Sequence, residues 1–315
     1  MRLALLLAII VSSSAACSRF SENLALKTTS KILRKAQPSL QQEADYELAR
    51  QAIPGALKTV EGFWVNKPDN PNLIAILTEG YCQYGTAFVE DDWEVAKFKK
   101  DIEAIDYHND RSTKIFTRCL NYALLTLGPK WQKDLFGDET AVKKLLAETN
   151  KNKRFSMLFA GLALGSIVNH NLTRIDTLSY LPTVQLIMDH IIALDQKNPP
   201  KNLAHAALPY IALGMLHSAR PQAMGGNPEL ARKHFEDALK VTNDRFLLAR
   251  TLMAYRVGLA TMNGCESSKC GRKFFHDNLK QVLETAPSVW PEQRLANEVA
   301  HRKARRYLSK EKELF

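Results

Sequence analysis

From residue 46 onward, apolar side chains recur at three- and four-residue intervals, with polar residues on the intervening positions and almost no two-residue alternation. That rhythm predicts helix after helix and no sheet. The spans are Tyr46 to Phe63, Leu73 to Val89, Asp91 to Leu127, Val142 to Glu148, Phe155 to Asn169, Val184 to Leu194, Ala204 to Ala219, Glu229 to Val241, Phe246 to Met262 and Arg272 to Thr285. Proline, glycine and asparagine punctuate them: Asn66-Lys67-Pro68-Asp69-Asn70-Pro71, Gly128-Pro129, Leu181-Pro182 and the run from Arg220 to Pro228 all read as breaks. A further break is expected near Asn109-Asp110, inside the longest span.

The later helices form pairs. Tyr210, Leu213 and Gly214 on one helix, followed by Ala231, Phe235 and Ala238 on the next, match the small-residue and aromatic spacing of a tetratricopeptide-like pair. Small residues let two backbones approach, and the aromatic ring fills the gap between them. Gly165 with Met188 repeats the layout earlier in the chain. The loops are longer than the usual repeat allows, so the expectation is an all-α fold of stacked, degenerate repeats. Such stacks wind into a superhelix with a concave face or channel, an architecture suited to binding and docking.

The N-terminus is of another kind. Arg2, the apolar run Leu3 to Val11 and the small residues Ser12 to Ala16 read as an export signal over residues 1–16. Nine apolar residues are too few to span a bilayer, which takes about 20. Cys17 directly after Ala15-Ala16 is placed as a bacterial lipidation site, its thiol accepting the diacylglyceryl group after cleavage. Ser18 in the next position favours the outer membrane. Residues 17–40 are expected to be the lipidated end and a linker, and residues 41–315 the helical body.

Lys and Arg exceed Asp and Glu by 43 to 33, a net charge of +10. Six of the basic residues, Arg302, Lys303, Arg305, Arg306, Lys310 and Lys312, crowd the last 14 positions. An exported chain does not meet nucleic acid, so this excess points either to anionic headgroups or an acidic partner, or simply to a solvated last helix. Four cysteines follow Cys17. Cys265 and Cys270 lie in a polar, glycine-bracketed turn and suit a small disulfide; Cys82 and Cys119 sit in apolar helical context and read as buried free thiols.

Catalytic chemistry has no foothold. The eight histidines include no pair at four-residue spacing, and neither a Gly-x-Ser-x-Gly elbow nor a phosphate loop occurs. Metal and cofactor are therefore not expected. Glu90, Asp91, Asp92 and Glu94 could hold a cation, but acids at a helix start are also what the macrodipole favours.

Three segments together carry a resemblance: Glu79-Gly80-Tyr81-Cys82-Gln83-Tyr84-Gly85-Thr86-Ala87-Phe88-Val89-Glu90, Val184 to Asp195, and Leu213 to Leu239 with its Arg-Pro-x-x-x-Gly-Gly loop. They resemble TatT, the accessory component of tripartite ATP-independent periplasmic (TRAP) transporters. The resemblance implies a tetratricopeptide-like lipoprotein that forms a homotrimer, carries a pore through each protomer and docks a solute-binding P component. It implies small organic or hydrophobic ligands. Gln83, Tyr84, Asn169 and Arg220 are the candidates for pore lining or contact with ligand or partner. Gly85 and Thr86 depart from the family pattern. The competing class is a generic tetratricopeptide scaffold lipoprotein of the envelope.

Overall fold

The computed structural model describes residues 24–219, 226–260 and 269–315; Cys17, Arg220 and Cys265 lie outside them. No strand occurs among the described residues, and the body is helical as expected. The segment expected to be a linker is itself helical, over residues 24–36 (α1), with a further turn at Pro38–Gln41. Next come α2 (Tyr46–Asn66) and α3 (Pro71–Tyr84). Asp45 caps α2 by accepting from the backbone N–H groups of Glu47 and Leu48. Asn70 caps α3 in the same way, with Pro71 at the first helical position where a missing N–H costs nothing.

At Gly85–Val89 the rod passes through one π turn and continues as α4 (Glu90–Lys99). A Cβ on Gly85 would lie 2.7 Å from the Phe116 ring, so only glycine lets the turn approach its neighbour this closely. Glu90 to Glu94 thus continue a helix rather than begin one, and the macrodipole has no free N–H groups to offer them there. The break expected near Asn109 falls earlier. Lys100 takes a left-handed φ of 56° and Asp101 caps α5 (Ile102–Leu127), which runs unbroken through Asn109.

Then follow α6 (Glu139–Ala147), α7 (Arg154–Asn169), α8 (Leu181–Lys197), α9 (Leu203–Ser218), α10 (Pro228–Val241), α11 (Leu247–Gly258), α12 (Gly271–Glu284) and α13 (Arg294–Ser309). Consecutive helices pack as pairs, α7 on α8, α9 on α10 and α11 on α12. In each pair a glycine meets a large side chain. A Cβ at Gly214 would be 2.8 Å from the Phe235 ring, one at Gly258 would be 2.8 Å from Phe275, and one at Gly161 would press on Met188 and Ile187. The close-approach glycine of the first pair is therefore Gly161. Gly165, one turn later, has ordinary 3.5 Å room against Val184.

Two features bind the stack together. A disulfide joins Cys82 on α3 to Cys119 on α5, with Cα atoms 5.4 Å apart, which corrects the expectation of two free thiols. Apolar surroundings hid the pairing because the two helices face each other only in the folded chain. At the other end, α13 returns to pack on α2 and on Pro38–Gln41, so the stack closes on itself.

Candidate functional site

The closed stack lines a partly open cavity of about 400 Å³. Its wall is mostly apolar because the inner faces of the helices supply Phe88, Phe116, Phe159, Leu162, Leu208, Ile211, Met215 and Leu252. Of the four candidate residues, the structure brings Gln83, Tyr84 and Asn169 onto this one wall, from α3 and α7. Arg220 lies outside the described residues. Tyr84 is also core, 7% exposed, with its ring against Phe88 and its hydroxyl accepting from Arg111 at 2.8 Å. The π turn adds Thr86, Ala87 and Phe88, so the two positions departing from the family pattern sit where the rod bends along the cavity.

Gln83 belongs to a polar cluster around Glu79, which is 3% exposed. Gln83 donates to Glu79 Oε1 at 3.2 Å, Gln41 to the same oxygen at 3.1 Å, and Gln37 and Arg34 to Oε2 at 3.0 and 2.9 Å. His205 Nε2 lies 2.9 Å from Oε1. Burial pushes the Glu79 carboxyl up, yet the His205 hydrogen bond and the charges of His205 and Arg34 outweigh it and hold it below the ordinary carboxylate range. Gln37, Gln41, Gln83 and His205 all line the cavity. The chain just after the expected anchor therefore supplies part of the wall. In the sequence Glu79 stands out only as a lone acid inside an apolar helix, a signal of a buried charge that needs partners.

A second cluster joins α4 to α13. Asp91, 0% exposed, accepts from Arg302 at 2.8 Å and Arg306 at 2.5 Å. Glu94 accepts from Lys303 at 3.0 Å and from Arg306 and Tyr307 at closer range. Burial raises the Asp91 carboxyl, but Lys303 and Arg306 bring it down to about 2. Asp92 is held by Arg50 at 2.7 Å, and Glu90 lies 3.1 Å from His170 Nε2. Two of the four acids, Asp91 and Glu94, are thus the counter-surface of the basic C-terminus. Of its six cations, Lys303 and Arg306 are consumed inside the fold, and Arg302 is paired with Asp91 while its side chain stays partly open to solvent.

No group of three or more His, Cys, Asp or Glu side chains is arranged to hold a metal ion among the described residues. Nor is any described helix long and apolar enough to cross a membrane. Cys270 is buried at the start of α12, and the pairing expected for it with Cys265 reaches outside the described residues.

Stacked helix pairs closed around a mostly apolar cavity define a helical-repeat protein. A family model described as "TRAP transporter T-component" matches residues 42–315, so the chain belongs to that family, whose members are accessory components of TRAP transporters. A protein of Treponema pallidum (strain Nichols), described as uncharacterized, is 24% identical over 199 residues, 62% of this chain and 59% of that protein. The match thus spans less than two thirds of that relative's length.

Proposed function

We propose that this T-component is a lipoprotein that holds the solute-binding P component of its transporter at the membrane and offers its cavity to a small organic or hydrophobic ligand. The observation that carries the reading is the cavity itself: about 400 Å³ of mostly apolar space inside a chain whose family serves a transporter. That volume lies in the range of small-molecule sites, which are concave, apolar and furnished with a few polar groups. Gln83, Tyr84 and Asn169 act as lining groups, and the Arg220 to Pro228 loop, at the end of α9, as part of the partner contact. Cys17 is the acylated residue, facing the periplasm from the outer membrane. A buried disulfide suits a chain exported to an oxidising compartment. Tethering raises the effective concentration of carrier near membrane. A homotrimer completes the reading.

The experiment is co-elution of the full chain with the P component of its transporter. Association is expected, and Arg220→Glu should weaken it while circular dichroism stays unchanged. No association at about tens of micromolar, the range of weak transient contacts, would overturn docking of the P component in favour of a scaffold role.

A further inference from the structure

The first helix, α1, has two unlike faces. On its inner side Ser30, 1% exposed, accepts from Asn70 Nδ2 at 3.0 Å, and Leu33 packs on the core. Arg34 reaches Glu79 at 2.9 Å, its guanidinium lying over the Phe155 ring. These contacts seat α1 on α3 and α7, so it moves with the body and is not a loose tether.

The outer side carries Leu24, Lys27, Thr28, Lys31, Ile32 and Lys35, which recur at three- and four-residue steps and are all exposed. That spacing lines them up as one stripe along the helix. Leu24 is 55% and Ile32 61% exposed, large apolar side chains set among the three lysines. Exposed lysines such as Lys143 and Lys280 pair with a glutamate four positions away on their own helix. On α1 that answer is missing, because residues 24–36 contain no acid. Lys27, Lys31 and Lys35 make no ion pair among the described residues. Only positions 18–23 separate the helix from Cys17, and seven residue steps reach at most about 25 Å. An acyl group on Cys17 therefore keeps α1 close to the bilayer surface.

We infer that the outer face of α1 is a membrane-contact surface, which lies on anionic phospholipid headgroups and orients the body on the bilayer. The inference rests on the lipid anchor proposed above and adds a second, electrostatic contact to it. The three ammonium groups meet lipid phosphates, while Leu24, Ile32 and the lysine stems reach the apolar boundary beneath. Each lysine near a charged surface favours the contact about fivefold, and the three together about a hundredfold at low salt. Arg34, on the opposite face, holds Glu79, and the Glu79 partners Gln37 and Gln41 line the cavity. The contact thus also turns that end of the cavity toward the membrane.

The test adds the full acylated chain to preformed vesicles of phosphatidylcholine, alone or mixed with phosphatidylglycerol. A brief pulse of an aqueous amine-acetylating reagent is then read lysine by lysine by mass spectrometry. On the anionic vesicles at low salt, Lys27, Lys31 and Lys35 should react at least about fivefold more slowly than on the neutral ones, and high salt should close the gap. Lys143 and Lys280 should react alike throughout. In Lys31→Glu, with circular dichroism unchanged, Lys27 and Lys35 should return to the rate seen on neutral vesicles. Equal rates on both vesicles overturn the proposal, as does protection that survives Lys31→Glu. Slowing shared by Lys143 and Lys280 also overturns it, since the body then has no preferred face. Protection that follows protein concentration instead of lipid charge assigns the stripe to a second copy and overturns it too. Flotation reads the anchor separately: a chain that leaves phosphatidylcholine vesicles lacks the lipid, whereas one that still floats with phosphatidylglycerol at low salt, its α1 lysines protected, keeps the α1 contact.

Discussion

The disulfide between Cys82 and Cys119 gives the sharpest stability prediction. The two residues are 37 apart in sequence, so the bond closes a loop of about 38 residues in the unfolded chain. Loop-closure entropy for that length is about 13 cal/mol/K, or about 4 kcal/mol at 25 °C. In a chain of 315 residues, with an unfolding entropy of about 2.1 cal/mol/K per residue, such a loss lowers the thermal midpoint by about 6 °C. Cys82→Ala with Cys119→Ala is expected to show that drop in calorimetry relative to the oxidised chain, and unfolding with and without a thiol reductant should show the same gap in the unsubstituted chain. The second arm matters because alanine also removes buried sulfur atoms, a packing loss that reduction does not cause. Both cysteines are almost fully buried, at 4% and 0% exposure, so reduction requires denaturant to be present during treatment. A midpoint indifferent to reductant, with free thiols at both positions in unreduced peptides, would refute the argument.

Three further outcomes are expected. Asp91→Asn removes the buried counter-charge of Arg302 and one of the two carboxylates that hold Arg306, and should cost about 3–5 kcal/mol in urea unfolding. Because folding lowers the Asp91 pKa from 3.8 to about 2, its ionisation stabilises the fold above pH of about 4, and the contribution, about 2 kcal/mol, is lost as pH falls toward 2. An acid unfolding series of native and Asp91→Asn chains whose difference does not narrow over that interval contradicts the assignment. Gly214→Ala drives a methyl into the Phe235 ring and should cost about 1–3 kcal/mol, whereas Gly165→Ala, with ordinary room beside Val184, should be near neutral; equal effects in thermal melts would count against the packing. Cys17→Ser should move the protein from the membrane to the soluble fraction, and retention on membranes after a high-salt wash would dismiss the lipid anchor.

What the sequence revealed was local in origin. Helices announce themselves by apolar spacing and caps, and the pairing of Gly214 with Phe235 was readable because both partners sit within one helix pair. Wherever the cause is distant, reading failed. The acids from Glu90 to Glu94 looked like a helix start because a π turn leaves no mark in a 3.6-residue rhythm, and only the fold shows the helix running through them. Arg302 and Arg306 looked solvated because Asp91 is more than 200 positions away in the chain. Cys82 and Cys119 share apolar context with many core residues, so composition could not pair them. Gln83, Tyr84 and Asn169, singled out through the resemblance, line one common cavity, which only the closure of the helices makes visible.

The α4–α13 cluster raises the question of why the ring closes through buried charges at all. Replacing a buried ion pair by apolar side chains is often neutral or stabilising, so the cluster is poorly explained as a source of stability. A repeat stack has another difficulty: each pair contacts mainly its neighbours, and nothing in that pattern halts or orients the last helix. An apolar stripe on α13 would accept several registers against α2 and α4 with little penalty. Arg302, Lys303 and Arg306 reaching Asp91 and Glu94 accept one, because a shift of one turn would strand buried charges. The register matters to the cavity, since Lys303 and Tyr307 of α13 and Glu94 of α4 are themselves part of its wall. The charges that fix where the ring closes also fix the electrostatics of the space inside it.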